Sequence, residues 1–202
     1  MDMEIQCECG KFRAEIQAFP KNTPGRLKCY CDDCQTYLHY LRRGDLLDEN
    51  GGTEVIPAYP ADVKILSGRE HLNCTRLSDK GMFRYSTSCC NTPVANTRPN
   101  TPWLGFLRRV YTVEDADFLD RTLGPIRSSI MGRFAKGTPP AGTPKTFNMK
   151  AFVTVVPFIL KGKLFGKSKP SPFFGDDGLT SIASPHVLDQ RELRHARRSA
   201  GF

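Results

Sequence analysis

Three cysteines lie within six residues in the run Cys29-Tyr-Cys31-Asp-Asp-Cys34. Thiolates are preferred ligands of Zn²⁺, whose Zn–S bonds of about 2.3 Å and tetrahedral geometry suit thiols that a tight turn brings together. The metal also lowers the pKa of each thiol, which keeps its ligands ionised. Because three protein ligands leave a fourth position open, as in catalytic zinc sites, the spacing predicts an open metal site. A redox role and plain buried thiols are the alternatives.

A second set of cysteines begins with Cys7-Glu-Cys9-Gly10, which has the spacing of half a structural zinc site. The other half has to come from Cys89-Cys90, from Cys74, or from both. A regular C-x-x-C pair that ends at Cys90 needs a cysteine at position 87, where this chain has Thr87. Cys89 can substitute, although adjacent cysteines bind one ion with strain. We expect a four-thiolate structural zinc, with a weakened site or buried free thiols as the alternatives.

Candidate proton-transfer groups near the three-cysteine run are Asp32, Asp33 and His39. The two aspartates also suit a turn, because their side chains bond the local backbone. His39 also fits an ordinary surface or core histidine. Three thiolates around Zn²⁺ leave a net charge of −1, so such a site is a modest Lewis acid.

The elements that must position these residues look like short strands with turns between them. The segment 5–16 predicts a strand, a turn at Gly10 and a second strand, and its leg from Phe12 to Ile16 alternates apolar and polar residues as a half-buried strand does. Segments 63–66 and 82–86 predict further strands. Segment 34–43 is compatible with a helix.

All eight cysteines lie between Cys7 and Cys90, and the charge is also uneven. Residues 1–113 carry 15 Lys+Arg and 13 Asp+Glu, a net charge of +2, whereas residues 114–202 carry 14 and 8, a net charge of +6. We therefore expect two parts: a cysteine-bearing domain at 1–114 and a basic, mostly helical extension at 115–202. Trp103 is expected to pack at the seam, with a pocket wall as the alternative.

Two helical patterns stand out in the extension. The first runs from Phe118 to Phe134, with a break or kink expected at Gly124-Pro125. The second covers 149–165, whose apolar core of ten residues is too short to span a bilayer. We expect a buried helix there. Membrane contact through residues 149–167, with lysines at the flank, is the alternative that is not favoured.

Composition excludes several classes of protein. With 202 residues, 39% of them hydrophobic, the chain suits a globular fold rather than a disordered one. It has no apolar run of 18 residues, and its first residues lack a basic region followed by an apolar stretch, so we expect no secretory signal. We therefore expect a cytoplasmic protein that keeps its thiols reduced. Nucleic-acid binding is not expected, since only 161–169 faintly resembles a basic patch with interleaved aromatics.

The three cysteine motifs, in this order, resemble the glutathione-dependent formaldehyde-activating (GFA) family and the centromere protein V zinc domain. The resemblance rests on Cys7-x-Cys9-Gly10, Cys29-x-Cys31-x-x-Cys34 and a late cysteine before Thr92-Pro93, over residues 3–115. It implies a mainly β, overall α+β, tent-like fold of small twisted antiparallel sheets with two zinc sites. It implies active-site ligands at Cys29, Cys31 and Cys34, and structural ligands at Cys7, Cys9 and Cys90, with Cys89 as the fourth.

The resemblance also implies a function. The leading hypothesis is a zinc-dependent carbon–sulfur lyase that holds one or two Zn²⁺ per chain. It would act on adducts of a thiol and an aldehyde, such as an S-hydroxymethyl conjugate of glutathione. The alternative is a non-catalytic zinc-stabilised binding module, whose basic C-terminal part contacts an acidic partner or a membrane surface.

Overall fold

The computed structural model describes residues 1–111 and 117–202. In chain order the described strands are β1 (Met3–Gln6), β2 (Arg13–Ile16), β3 (Leu27–Cys29), β4 (Thr53–Ala58), β5 (Val63–Ser67), β6 (Leu72–Arg76), β7 (Phe83–Thr87), β8 (Pro93–Thr97), β9 (Leu104–Leu107), β10 (Ser128–Ile130) and β11 (Pro185–Val187). The helices are α1 (Asp32–Tyr40), α2 (Phe118–Leu123), α3 (Met149–Leu164) and α4 (Gln190–Ser199). The expected boundary between residues 114 and 115 lies outside the described residues.

The strands form two sheets, so the described chain is an α+β fold. The smaller sheet has the order β1-β2-β5 and is antiparallel. Its first hairpin turns at Gly10, whose φ of +75° lies in the left-handed region that glycine adopts without a steric cost. The strand, turn and strand predicted for segment 5–16 are therefore present, with Met3 opposite Ile16.

The larger sheet has the order β10-β3-β4-β9-β8-β7-β6-β11. Its six inner strands pair antiparallel, whereas β10 pairs parallel to β3 and β11 pairs parallel to β6. The sheet is therefore mixed, which corrects the purely antiparallel expectation. The two parallel pairings lie at opposite edges of the sheet. At each edge, a strand from the chain after residue 117 extends the sheet that the strands before residue 111 form.

The segment after residue 117 is thus not helical alone. The helix predicted from Phe118 to Phe134 stops at Leu123, because Gly124 has a φ of +71° and Pro125 cannot continue the ladder. At the edge of the sheet, β3 would leave backbone N–H and C=O groups unpaired. Ser128–Ile130 forms the strand β10, which pairs with this edge. A pattern of apolar residues within one segment does not report such a long-range partner.

The main core is a single cluster of buried side chains. Its buried side chains come from both sheets and from later segments, including Ile5, Phe12, Tyr85, Phe106 and Phe173. Tyr85 donates its hydroxyl proton to the carbonyl oxygen of Phe173 at 2.8 Å, so the late segment around Phe173 is fixed to the centre of the large sheet. The chain after residue 117 is therefore packed into the same body as the chain before residue 111.

The helix α3 is buried on one face only, which corrects the expectation of a buried helix. Ala151, Phe158 and Gly162 face the body. The Phe158 ring stacks on Tyr59 with centroids 4.1 Å apart and meets Trp103 edge-on at 6.1 Å. Trp103 therefore packs against the helix α3 of the later segment. None of the helices in residues 1–111 and 117–202 combines the length and apolar character needed to cross a bilayer.

Candidate metal centres

The structure brings Cys29, Cys31 and Cys34 together, and we call these residues the three-cysteine site. Cys29 ends β3, Cys31 caps the N-terminus of α1, and Cys34 lies in the first turn of α1. Because a strand ends and a helix begins within this short run, the chain changes direction and the thiols converge. Their sulfur atoms all lie within 4.8 Å of one another, close enough for one metal ion such as zinc.

The start of helix α1 favours negative charge at this site. The sulfur of Cys31 accepts a hydrogen bond from the backbone N–H of Cys34 at 3.3 Å, so this thiol acts as the N-cap of the helix. Unsatisfied N–H groups and the aligned peptide dipoles make a helix N-terminus positive, which stabilises thiolates. The same geometry that starts the helix therefore prepares an anionic ligand.

The three thiols share their protons unequally. Hydrogen bonds to Cys31 and Cys34, together with burial, raise the pKa of Cys29 well above its usual range. Hydrogen bonds from Cys29 and Cys31 lower the pKa of Cys34 well below its usual range, against the effect of burial. The positive charge of Arg84 lowers the pKa of Cys34 further. The surroundings of the site therefore favour the thiolate form at Cys34 more than at Cys29.

Arg84 is the residue that sequence reasoning missed. Its guanidinium nitrogen Nη1 lies 3.8 Å from the sulfur of Cys34, and Nη2 lies 3.8 Å from a carboxylate oxygen of Asp33. The side chain is only 5% exposed. A buried cation is costly unless negative charge faces it, and here that charge comes from the thiolate and Asp33. A metal centre with three thiolates, which carries a net charge of −1, fits this cation.

The signal that could have indicated Arg84 is weak. It lies in the predicted strand 82–86. Because side chains alternate along a strand, Arg84 would be expected on the face opposite Phe83 and Tyr85, exposed to solvent. In the structure all five residues of β7 are buried, because the sheet is covered on both faces. A charged residue inside such a strand needs a partner, but the sequence alone does not show that the strand is covered.

The proton-transfer candidates predicted from the sequence do not all lie at the three-cysteine site. Asp33 is half-exposed, and burial raises its pKa although Arg84 and Arg197 act in the opposite direction. Asp32 occupies the same first turn of α1, where an acidic residue suits the helix N-terminus. His39 lies in the last turn of α1 and belongs to neither group of residues that could hold a metal ion.

The C-terminal helix α4 lies against α1 beside the three-cysteine site. It begins with a capping box, in which Asp189 and Glu192 bond each other's backbone N–H groups. Ala196 is buried, and Arg197 places a guanidinium nitrogen 3.9 Å from a carboxylate oxygen of Asp33. The basic C-terminal part therefore contributes a second positive group at the site.

A second group of four cysteines consists of Cys7, Cys9, Cys89 and Cys90, which we call the four-cysteine site. The measured distances between sulfur atoms are 3.3 Å for Cys9–Cys89, 3.6 Å for Cys7–Cys9, and 3.8 Å for both Cys7–Cys89 and Cys89–Cys90. Tetrahedral zinc with bonds of about 2.3 Å places its sulfur ligands roughly 3.8 Å apart. The spacing therefore fits the ion, and no disulfide joins any of the eight cysteines.

A tight turn lets adjacent cysteines serve one site. Asn91 has a φ of +52°, a conformation that asparagine tolerates, and its N–H donates to the carbonyl oxygen of Thr87 at 2.9 Å. The hydroxyl oxygens of Thr87 and Thr92 lie 3.3 Å and 3.1 Å from the sulfur of Cys90. Against the effect of burial, these hydroxyl groups lower the pKa of Cys90 to about 5. Thr87 thus supports the site from the position where the pattern has a cysteine.

Cys74, the remaining cysteine, belongs to neither group. It is buried in β6, and burial raises its pKa. It lines a cavity of about 450 Å³ between the end of α1 and the strands β6 and β7. That cavity is lined by Tyr40, Leu41, Arg42, Asn73, Cys74, Thr75, Ser86, Asn91, Ser184 and His186, so none of the seven clustered cysteines borders it.

Comparisons with known proteins give a family but no activity. The model of a family of unknown function, DUF6151, matches residues 2–183. A crystal structure of a Rhodobacter sphaeroides protein is similar with a TM-score of 0.41 and 18% sequence identity, and the match covers 61% of this chain and 97% of that chain. No curated protein matches the sequence.

Proposed function

Since the chain belongs to DUF6151, a family of unknown function, we propose its function from the metal centres: a zinc-dependent carbon–sulfur lyase of the GFA type. Its substrate would be an adduct of a small thiol and an aldehyde, such as an S-hydroxymethyl conjugate of glutathione. The observation that carries the proposal is the three-cysteine site, where three thiols converge beside the buried cation of Arg84 and the protein supplies no fourth cysteine.

Two metal centres of different kinds support this proposal. The four-cysteine site offers a complete set of protein ligands, as structural zinc sites do. The three-cysteine site offers three, which is the ligand number of catalytic zinc sites. A zinc ion held there would supply a soft, modest Lewis-acid position for a sulfur ligand, which suits the chemistry of thiols better than the activation of water.

The residues of the chain would act on the charges that develop during cleavage. When the C–S bond of the adduct breaks, the electron pair stays on sulfur, and the hydroxyl oxygen becomes the carbonyl oxygen of the aldehyde as it loses its proton. Arg84 and the N-terminus of α1 would stabilise the thiolate through their positive charge. Asp33 would take the hydroxyl proton, since its carboxylate is half-exposed and burial raises its pKa.

Access to the site would come from the side of Cys31. Cys29 and Cys34 are buried, whereas Cys31 is partly exposed. Arg197 on α4 lies 3.9 Å from Asp33 and would provide positive charge for the carboxylates of a substrate such as a glutathione conjugate. Arg197 is distant from Cys34 in the sequence, so the packing of α4 on α1 brings this positive charge to the site.

The proposal is tested by NMR, which follows the exchange between the formaldehyde–glutathione adduct and its free components. The zinc-loaded chain is present in catalytic amounts. We expect Cys31→Ser to lower the exchange rate at least a hundredfold while circular dichroism and Tm stay unchanged. The matched control is Cys74→Ala, which alters a cysteine outside both sites. A wild-type chain with two zinc ions and no acceleration would refute the lyase.

The second candidate is a non-catalytic zinc-stabilised binding module. The observation that favours it is the position of α4, which packs on α1 beside the three-cysteine site and would hold that site closed. In that case the zinc at Cys29, Cys31 and Cys34 contributes folding free energy. The variant Cys31→Ser would then lower the Tm and unfold the helix pair instead of removing an activity.

A further inference from the structure

The helix α3 is apolar on two opposite faces. The inner face packs Phe158 and Gly162 against Tyr59 and Pro102, so closely that a Cβ at position 162 would lie 2.5 Å from the Cβ of Pro102. The outer face is a stripe at helical spacing, made of Met149, Phe152, Val153, Val156, Leu160 and Leu164. At 100° per residue these six side chains fall within a 120° arc on the side away from the body, and Lys163 falls within the same arc near the C-terminal end of the helix.

This outer stripe is exposed to solvent. Phe152 is 56% exposed, Leu160 is 60% exposed and Leu164 is 80% exposed. Phe147 and Phe165 extend the apolar surface beyond both ends of the helix, and they are 65% and 64% exposed. A contiguous apolar surface of this kind on a folded chain marks a site of interaction with a membrane or with another protein.

The segment of the chain that carries the stripe has charges of a single sign. Between Arg121 and Gly175 the chain has ten Lys and Arg residues and no Asp or Glu. Lys150, Lys161 and Lys163 lie on the exposed parts of α3 itself. No ion pair with another described residue engages these three lysines. In contrast, Lys167 is paired with Asp62 at 2.6 Å and so is anchored to the body.

We propose that α3 is an interfacial membrane anchor, whose outer stripe inserts into the headgroup region of an anionic lipid bilayer while its lysines contact the lipid headgroups. An apolar stripe combined with adjacent lysines gives the two signals that stable peripheral binding requires. A second copy of the chain is a less suitable partner for the stripe. A symmetric dimer would bring Lys150, Lys161 and Lys163 of both copies together. An anionic surface instead neutralises them.

Co-sedimentation of the full-length, zinc-loaded chain with vesicles tests this proposal. Vesicles of phosphatidylcholine with 30% phosphatidylserine are expected to bind the chain, and vesicles of phosphatidylcholine alone to bind it at least tenfold more weakly. We expect Leu160→Asp to weaken binding to the vesicles roughly tenfold or more, since it replaces an apolar side chain that would insert into the bilayer. The matched control is Leu179→Asp, since Leu179 is 56% exposed but lies outside α3.

The role of the lysines is tested by two triple variants with the same change in net charge. Lys150→Gln, Lys161→Gln and Lys163→Gln together should weaken binding to the anionic vesicles at least tenfold. The control combines Lys11→Gln, Lys64→Gln and Lys80→Gln, which are exposed lysines elsewhere, and should bind within about twofold of the wild type. Equal losses from both triples would overturn the proposal, because binding would then follow net charge alone.

A fluorescence measurement keeps the test independent of any loss of folding. In Leu160→Trp, anionic vesicles should shift the emission to shorter wavelength, and lipids brominated in their acyl chains should quench it. In Leu179→Trp neither effect should occur. The proposal is overturned if the shift is absent. It is also overturned if sedimentation velocity shows that Leu160→Asp dissociates a dimer, or if only an acidic polypeptide and no vesicle binds the stripe.

Discussion

The guanidinium group of Arg84 lies 3.8 Å from the sulfur of Cys34, and the arginine side chain is only 5% exposed. This pair joins strand β7 of the large sheet to the start of helix α1. A buried guanidinium without a negative partner would destabilise the fold by several kcal/mol. The pair therefore couples the stability of the sheet to the ionisation of the three-cysteine site.

Replacement of Arg84 by methionine should weaken metal binding at the three-cysteine site. The variant removes the cation that offsets the net charge of −1 on a zinc centre with three thiolates. We expect the zinc affinity of this site to fall roughly 10–100-fold, the range found for groups that support metal ligands. Competition with a chromophoric chelator measures the affinity. Arg98→Met, at an exposed arginine, is the control, and an unchanged affinity in Arg84→Met would contradict this coupling.

The four-cysteine site offers a test by rescue. Cys89→Ala removes one of its four thiols, so we expect loss of one zinc and of the cooperative thermal transition, because structural zinc is folding free energy. Adding Thr87→Cys should restore both, since the Thr87 hydroxyl already lies 3.3 Å from the sulfur of Cys90. Zinc content and thermal unfolding by circular dichroism give the result. A double variant as unstable as Cys89→Ala would show that position 87 does not reach the ion.

Arg26 connects strand β4 with helix α2 through two ion pairs, of which the one with Glu54 is buried. Its guanidinium nitrogen Nε donates to Glu54 at 2.6 Å, and Nη1 contacts the carboxylate of Asp120 in α2. The side chains of Arg26 and Glu54 are 10% and 11% exposed. Removal of Glu54 leaves the buried Arg26 with only the exposed carboxylate of Asp120, so Glu54→Ala should lower the free energy of unfolding by about 3 kcal/mol, the lower end of the range for a buried pair that loses one partner.

An exposed ion pair provides the control for that prediction. Arg13 and Glu4 lie 2.7 Å apart, but their side chains are 48% and 45% exposed. Glu4→Ala should therefore lower the free energy of unfolding by less than about 1 kcal/mol. Urea unfolding with zinc in excess compares the two variants. Equal losses for Glu54→Ala and Glu4→Ala would mean that burial adds nothing to the contribution of the Arg26–Glu54 pair.

Local spacing predicted more of this molecule than long-range pairing did. The run from Cys29 to Cys34 can converge only through a local turn, so its grouping was readable from the sequence. The grouping of Cys7 with Cys89 spans 82 residues, and the repeated ligand pattern indicated it. Arg84 was not predicted, because its partner Cys34 is 50 residues away and no ligand pattern includes an arginine.

The remaining differences have the same physical origin. The strands β10 and β11 have three residues each, and they exist because β3 and β6 leave free edges for them. A pattern within one segment carries no information about such an edge. The helix α3 was predicted correctly as a helix, but its apolar composition suggested burial all round. Only the packing of Phe158 on Tyr59 decides which face is inside.

The most direct test of the two metal centres is zinc content per chain, measured before and after mild chelation, with folding followed by circular dichroism. We expect two zinc ions in protein purified without added metal. The ion at Cys29, Cys31 and Cys34 should leave first, without unfolding, whereas loss of the other should unfold the chain. A chain that holds no zinc, or that unfolds as the first ion leaves, would contradict an open, exchangeable site beside Arg84.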